Sequence, residues 1–180
     1  GLAKAYGARR AVDGIDVEIE IQHRIMSALA ESTEIPVAPI LGADLTDEAI
    51  GTPFFVMEFV DGVVPPVDPP YPAAGFFAEA TPGQRRTMVA NGLQAMADVH
   101  AVDWRGVGLD WLVPAGVEPT LGRQLDLWAE YAERELRGRV HPDMERARAI
   151  LHRDLPEPSA PTLCWGDPRL GNIIWQDFAC

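Results

Sequence analysis

Lysine is all but missing from this chain, which carries one, Lys4, against 14 arginines (15 cations less that lysine). Chemistry that needs an ammonium group therefore has a single candidate. Cations as a class are also short, with 15 Lys plus Arg against 27 Asp plus Glu and a formal charge of −12. Binding nucleic acid or an anionic bilayer takes a cationic surplus, so neither is an expected partner. No apolar run reaches the ~20 residues that span a bilayer, and no basic stretch followed by an apolar core opens the sequence. A cytoplasmic protein is the expectation. Cysteine is limited to Cys164 and Cys180, too sparse for a disulfide framework and too far apart for a clustered metal site. Both are read as reduced thiols. The first residue is Gly, and Cys180 follows an apolar run with no stop signal, so the chain reads as a fragment cut at both ends.

What is present is enough to fold: 180 residues, 47% of them hydrophobic. Val17, Ile21, Ile25, Ala28 and Leu29 recur at helical spacing behind Asp16, a capping residue. Val37 to Ala43 and Phe54 to Val60 are rich in strand formers, and the second run closes on the turn signal Asp61-Gly62. Val63 to Pro72 holds five of the 16 prolines and reads as a semi-rigid linker. Thr81-Pro82-Gly83-Gln84 has the composition of a capping box, and the helix it opens is expected to carry Val89, Leu93, Met96 and His100 on one face. His100 reads as a core residue. Further helices are expected from Thr120 to about Arg137, with Leu121, Leu125, Trp128 and Ala132 in register, and from Pro142 to about Arg153. The five tryptophans are dispersed and read as core packing. The chain then runs strand, polar loop, strand through Thr162–Trp165, Gly166–Asn172 and Ile173–Trp175, which places Cys164 in a buried strand.

The polar loop is the most informative stretch. Asp167 and Asn172 stand five apart between two apolar runs, the spacing D-x-x-x-x-N that pairs a carboxylate, able to orient and deprotonate a hydroxyl, with an oxygen ligand for Mg²⁺. Spacing alone equally describes ordinary loop chemistry. With its surroundings, Leu163-Cys164-Trp165-Gly166-Asp167-Pro168-Arg169-Leu170-Gly171-Asn172-Ile173-Ile174, the loop resembles the H-G-D-x-R-x-G-N segment of the aminoglycoside phosphotransferase and choline kinase-like family, with Trp165 in place of His. Phe54 to Gly62 is similar to that family's last N-lobe strand and hinge. Ala97-Asp98-Val99-His100-Ala101-Val102-Asp103-Trp104 is similar to the L-H-x-V-D end of its long C-lobe helix.

The resemblance implies an α+β, two-lobed protein-kinase-like fold truncated at both ends: a partial N-lobe over 1–62, a linker over 63–75, and a partial helical C-lobe over 76–180 with the catalytic loop at 165–172. It implies transfer of the γ-phosphate of ATP, with Mg²⁺, to a hydroxyl of a small substrate. Asp167 would be the base, Asn172 a magnesium ligand, and Arg169 a residue beside the acceptor or a brace for the loop. Gly171 would grant the turn its backbone angles. Met57, Glu58, Phe59 and Val60 would hold the adenine, largely through main-chain groups. Lys4 is the candidate for the phosphate-binding lysine. Its glutamate partner falls on Gln22, which cannot form an ion pair, and Glu18 one turn earlier is the substitute.

The second magnesium-binding aspartate of the family is expected beyond Cys180, because Asp177 follows Asn172 so closely that it belongs in a hairpin turn. The 180-residue chain is accordingly expected to show little or no kinase activity. A non-catalytic nucleotide-binding or interaction module is the alternative, and the sequence does not specify the oligomeric state.

Overall fold

The computed structural model describes residues 5–6, 9–10, 15–157 and 159–179, with side chains from residue 19 onward. Lys4 lies outside the described residues, as does the side chain of Glu18. Two short strands, β1 (Ala5–Tyr6) and β2 (Arg9–Arg10), pair antiparallel with Ala5 opposite Arg10. Helix α1 spans Ile15–Ser32, so Asp16 lies inside its first turn rather than capping it. The helix packs against β3 (Ile40–Asp44) and β4 (Phe54–Met57), buries Leu29, and sets the His23 ring 6.0 Å from Phe55. The β3–β4 pair is antiparallel, Asp44 facing Phe54 and Ile40 facing Met57, with an irregularity between Ile40 and Gly42.

The second strand is shorter than its β-forming composition predicts. It ends at Met57, where the Glu58 N–H turns to donate to the carbonyl of Pro39 at 2.8 Å and the ladder stops. Phe59 is then 85% exposed.

After a four-residue helix, α2 (Phe76–Glu79), comes α3 (Pro82–His100). Its start is the expected capping box: the Thr81 hydroxyl accepts from the Gln84 N–H, and the Gln84 carboxamide oxygen accepts from the Thr81 N–H at 2.8 Å. Its inward face differs from the expected one. Met88, Ala95 and Val99 are buried while Val89 and Leu93 are exposed, and His100 is half-buried. The reason is Gly92, which lies on the same face as Met88 and Ala95: its bare Cα leaves room for Trp175 and Ile173. Met88, Ile173 and Trp175 form the core cluster, joined by Phe76, Phe77, Trp165, Leu170 and Phe178.

The expected strand–loop–strand at the end of the chain does not form. Residues 161–165 are extended without a ladder among the described residues, and Leu170–Asn172 is a single 3₁₀ turn. A lone antiparallel bridge links Val63 to Trp175. With no strand to bury it, Cys164 is exposed, against expectation.

The chain divides into two compact units, residues 1–109 with 163–180, and residues 110–162. The second contains α4 (Leu121–Leu136) and α5 (Pro142–Arg153). Thr120 caps α4 by accepting from the Arg123 N–H at 3.1 Å, and Arg137 ends it in the left-handed conformation, φ 51°. Arg148 to Glu133 at 3.8 Å and His152 to Asp126 at 3.5 Å link the two helices. Trp128 does not pack in a core as expected. It is 61% exposed and meets Tyr131 edge-on at 5.9 Å.

Candidate active site

The loop 165–172 is built on the core cluster. Gly166, at φ 87°, takes the chain into the loop through a conformation that a side chain would strain. Asp167 follows, and the 3₁₀ turn of Leu170–Asn172 brings Asn172 back to it. The Asn172 Nδ2 donates both to the Asp167 carbonyl and to its carboxylate Oδ2, each at 2.9 Å. Both partners are acceptors, so the amide group is oriented without ambiguity and its Oδ1 is left facing elsewhere. Arg169 Nε donates to the same Oδ2 at 3.0 Å. Asp167 Oδ1 has no partner among the described residues, and Asp167 and Arg169 are solvent-accessible, at 65% and 47% side-chain exposure.

Arg169 therefore contacts Asp167 directly. Gly171 serves a different need from the one expected. Its φ is not positive; a Cβ there would stand 3.1 Å from the Pro65 carbonyl, so the position calls for space rather than unusual angles.

That contact shows how the Pro-rich segment is tied to the loop. Val63 and Trp175 exchange N–H to carbonyl bonds at 2.9 Å in both directions, and Gln176 Nε2 donates to the Asp61 carbonyl at 2.5 Å. A Cβ on Gly62 would lie 2.9 Å from the Trp175 carbonyl, and Pro65 is fully buried. Residues 61–65 thus lie directly against 171–176. Upstream of them Met57 is 44% exposed in β4 opposite Ile40, Glu58 uses its N–H on Pro39, and the Val60 N–H has no partner among the described residues. Gln22 is exposed on α1.

Trp165 fills the position where the resemblance implies His, and it packs against the core cluster with no hydrogen bond from its indole among the described residues. The tie comes from Trp175 instead: its Nε1–H donates to the Leu170 carbonyl at 3.0 Å, from a ring that is 1% exposed. The sequence signal was a tryptophan three residues after Asn172, which core packing seemed to explain fully.

Asp177 sits in the hairpin turn as expected. Asp177 and Phe178 have φ of 46° and 69° between the paired Gln176 and Ala179, the pattern of a type I′ turn. The turn is held by Asn91 Nδ2 donating to the Phe178 carbonyl at 2.9 Å and by the Phe178 ring stacked on Phe76 at 4.9 Å. Asn172 Oδ1 is a hard oxygen that suits Mg²⁺, which keeps several waters and takes its remaining ligands from phosphates. Among the described residues no three His, Cys, Asp or Glu side chains converge as a metal cage.

Comparison with known proteins agrees with this geometry. The model of the phosphotransferase enzyme family matches residues 6–179. Acyl-CoA dehydrogenase family member 10 from Mus musculus is 31% identical over 158 residues, 88% of this chain and 14% of that protein. The "Probable acyl-CoA dehydrogenase IBR3" of Arabidopsis thaliana is 25% identical over 165 residues, 88% of this chain and 19% of that protein. The chain thus spans less than a fifth of either curated relative. A solved structure from Ralstonia eutropha JMP134, a "putative aminoglycoside phosphotransferase", superposes with a TM-score of 0.66 at 26% identity, covering 88% of this chain and 45% of that one. A family match over nearly the whole length, on a kinase-like fold shared with that structure, means that this chain belongs to the phosphotransferase enzyme family.

Proposed function

We propose that the chain carries the catalytic loop and hinge of an ATP-dependent kinase that phosphorylates a hydroxyl of a small molecule. The observation that carries this reading is the Asn172 amide bonded to Asp167, which leaves one oxygen of each residue directed away from the bond. Asp167 Oδ2 is occupied by Arg169 and Asn172, so the carboxylate is held in orientation while Oδ1 remains to accept a proton. In the proposed step the substrate oxygen attacks the γ-phosphorus, its proton passes to Asp167 Oδ1, the bond to the β-phosphate oxygen breaks, and ADP leaves. Magnesium, when bound through Asn172 Oδ1, supplies charge neutralisation on the phosphate oxygens. Arg169 keeps Asp167 from rotating. Main-chain groups from Glu58 to Val60, beside Met57 and Phe59, meet the adenine, with the Val60 N–H as the available donor.

The relatives' names mention acyl-CoA and aminoglycosides, and we take hydroxylated acyl compounds and amino sugars as the two acceptor classes for this chain. Both belong in the test. In the full gene product, Asp167→Asn is expected to lower magnesium-dependent ADP release with a responsive acceptor by about 10²- to 10⁴-fold, the usual worth of a general base. ATP affinity should stay within about twofold. Unchanged turnover removes Asp167 from the base role. The 180-residue chain by itself is proposed to turn over at background, since among the described residues the Asn172 amide oxygen is left to the metal without a second carboxylate beside it. A second reading, a nucleotide-binding module without catalysis, draws on the unbonded indole of Trp165 and on Asp177 being engaged in a turn. ATP binding without transfer to any acceptor in the full product would favour it.

A further inference from the structure

Resting on the phosphotransferase reading, we propose that Trp175 is a positioning residue that ties Val63, three residues past the nucleotide-holding Glu58–Val60, to the metal-ligating turn, so that Asn172 keeps its place while that tie holds. Three attachments meet at this residue. Its main chain pairs with Val63 in both directions at 2.9 Å. Its ring lies 3.6 Å from the point where Gly92 would carry a Cβ, so it packs on the bare backbone of α3 at that residue. Its indole N–H donates to the Leu170 carbonyl at 3.0 Å.

Leu170 is the residue that matters for Asn172. It opens the 3₁₀ turn, and its carbonyl already accepts from the Ile173 N–H at 3.3 Å, a long bond. The indole is the shorter of the two bonds on that oxygen and the one that comes from outside the turn. With Leu170 held, the turn directs the Asn172 carboxamide at Asp167; with Leu170 released, the turn keeps the Asn172 N–H bond to the Arg169 carbonyl at 2.9 Å and the Pro65 carbonyl behind Gly171, but loses its side-chain tie to the Trp175 indole. Trp165 packs nearby but holds nothing through its indole among the described residues. A tryptophan kept for packing alone would be matched by phenylalanine, whereas one kept for its N–H would not.

The test is ATP binding to the 180-residue chain, measured calorimetrically in excess Mg²⁺ and again in EDTA, for the wild type and Trp175→Phe. The variant is expected to lose about 2- to 10-fold of the magnesium-dependent gain in affinity, the net worth of one neutral hydrogen bond. Binding in EDTA, which reads the hinge alone, should stay within about twofold. Equal loss in both conditions, or none in either, overturns the proposal. A readout that needs no nucleotide is the side-chain amide of Asn172 in ¹⁵N spectra. It should be slow to exchange in the wild type and move to the position of a solvated amide in the variant, and no change overturns the coupling. If the wild type binds no nucleotide in either buffer, the phosphotransferase reading fails and the Asn172 signals alone decide the coupling. Should Trp175→Phe fail to fold, Gly171→Ala presses the turn from the Pro65 side and must produce the same selective loss of the magnesium gain.

Discussion

A single hydroxyl can set the chemistry of an exposed carboxylate, and Asp44 shows this most clearly. The Thr46 side chain donates to Asp44 Oδ1 at 2.6 Å and the Thr46 N–H to the same oxygen at 2.9 Å, so the Asp44 carboxyl is held below its ordinary value of 3.8. Bonding that favours the ionised form in the folded state stabilises the fold above the unfolded value, and that contribution is lost as pH falls through the lower, folded one. Thr46→Val removes the larger cause and leaves the backbone bond. The Asp44 carboxyl, followed by NMR titration, should then rise toward 3.8 without passing it. An unmoved titration would mean that the backbone N–H alone does the holding. Residues of this kind were partly legible in advance. The Asp167, Asn172 and Arg169 set was visible because its spacing is local and the 3₁₀ turn over Leu170–Asn172 needs only those few residues to bring the side chains together. Trp175 was not, because its partner is a carbonyl, and a main-chain acceptor leaves no trace in the amino-acid order. Asp44 and Thr46 escaped notice because a short polar turn carries no apolar pattern.

Helices and strands were legible wherever their ends are written in side chains. The capping box at Thr81 and Gln84, the cap at Thr120 and the proline at the start of α5 all act through residues within one turn, and those helices begin where they were expected. Faces were harder. In α3 the larger residues Val89 and Leu93 drew the inward face to themselves, but the helix buries the side where it is thinnest, at Gly92 and Ala95, because Trp175 and Ile173 need the volume. Size of the partner decided the face, and that partner lies 83 positions along the chain from Gly92. The strands at the end of the chain failed for a related reason. Apolar composition favours extended backbone at 162–165 and 173–175, but a ladder needs a neighbour, and among the described residues only Val63 supplies one to these segments, at a single residue. The α3 argument yields a prediction. A Cβ at Gly92 would stand 3.4 Å from Ile173 Cδ1 and 3.6 Å from Trp175, ordinary contact distances, while glycine within a helix costs roughly 1 kcal/mol against alanine. Gly92→Ala should therefore raise stability by about 0.5–1 kcal/mol in urea unfolding, with the m-value unchanged. A loss of stability would show that the face is already full and that glycine is there for contact, not for want of selection.

At the scale of the whole molecule, burial is shared unequally between the two units. The cluster of Met88, Ile173 and Trp175, with the buried Leu109 and Pro65, belongs to residues 1–109 and 163–180, the same unit that contains the loop 165–172. Residues 110–162 have no buried residue among those described: Leu121, Leu127, Trp128, Tyr131, Ile150 and Leu151 all stand exposed on α4 and α5. Those two helices rest on their caps and on surface ion pairs such as Arg148 with Glu133, worth at most about 1 kcal/mol each. Helices of 16 and 12 residues are marginal in water on propensity alone. Local opening should therefore separate the units. In native-state hydrogen exchange, amides in α4 and α5 should exchange at least about 10-fold faster than those of α3 between Met88 and Val99, and raising urea should release them in an earlier step. Leu121, Leu125, Trp128 and Ala132 recur at helical spacing on α4, but such a stripe describes what a helix is able to bury, and burial needs a partner surface. Equal protection across α3, α4 and α5 would mean that the stripe is covered in solution. Dilution then separates the causes, because a cover supplied by a second copy of the chain is lost as concentration falls, and protection that persists on dilution must come from within the chain.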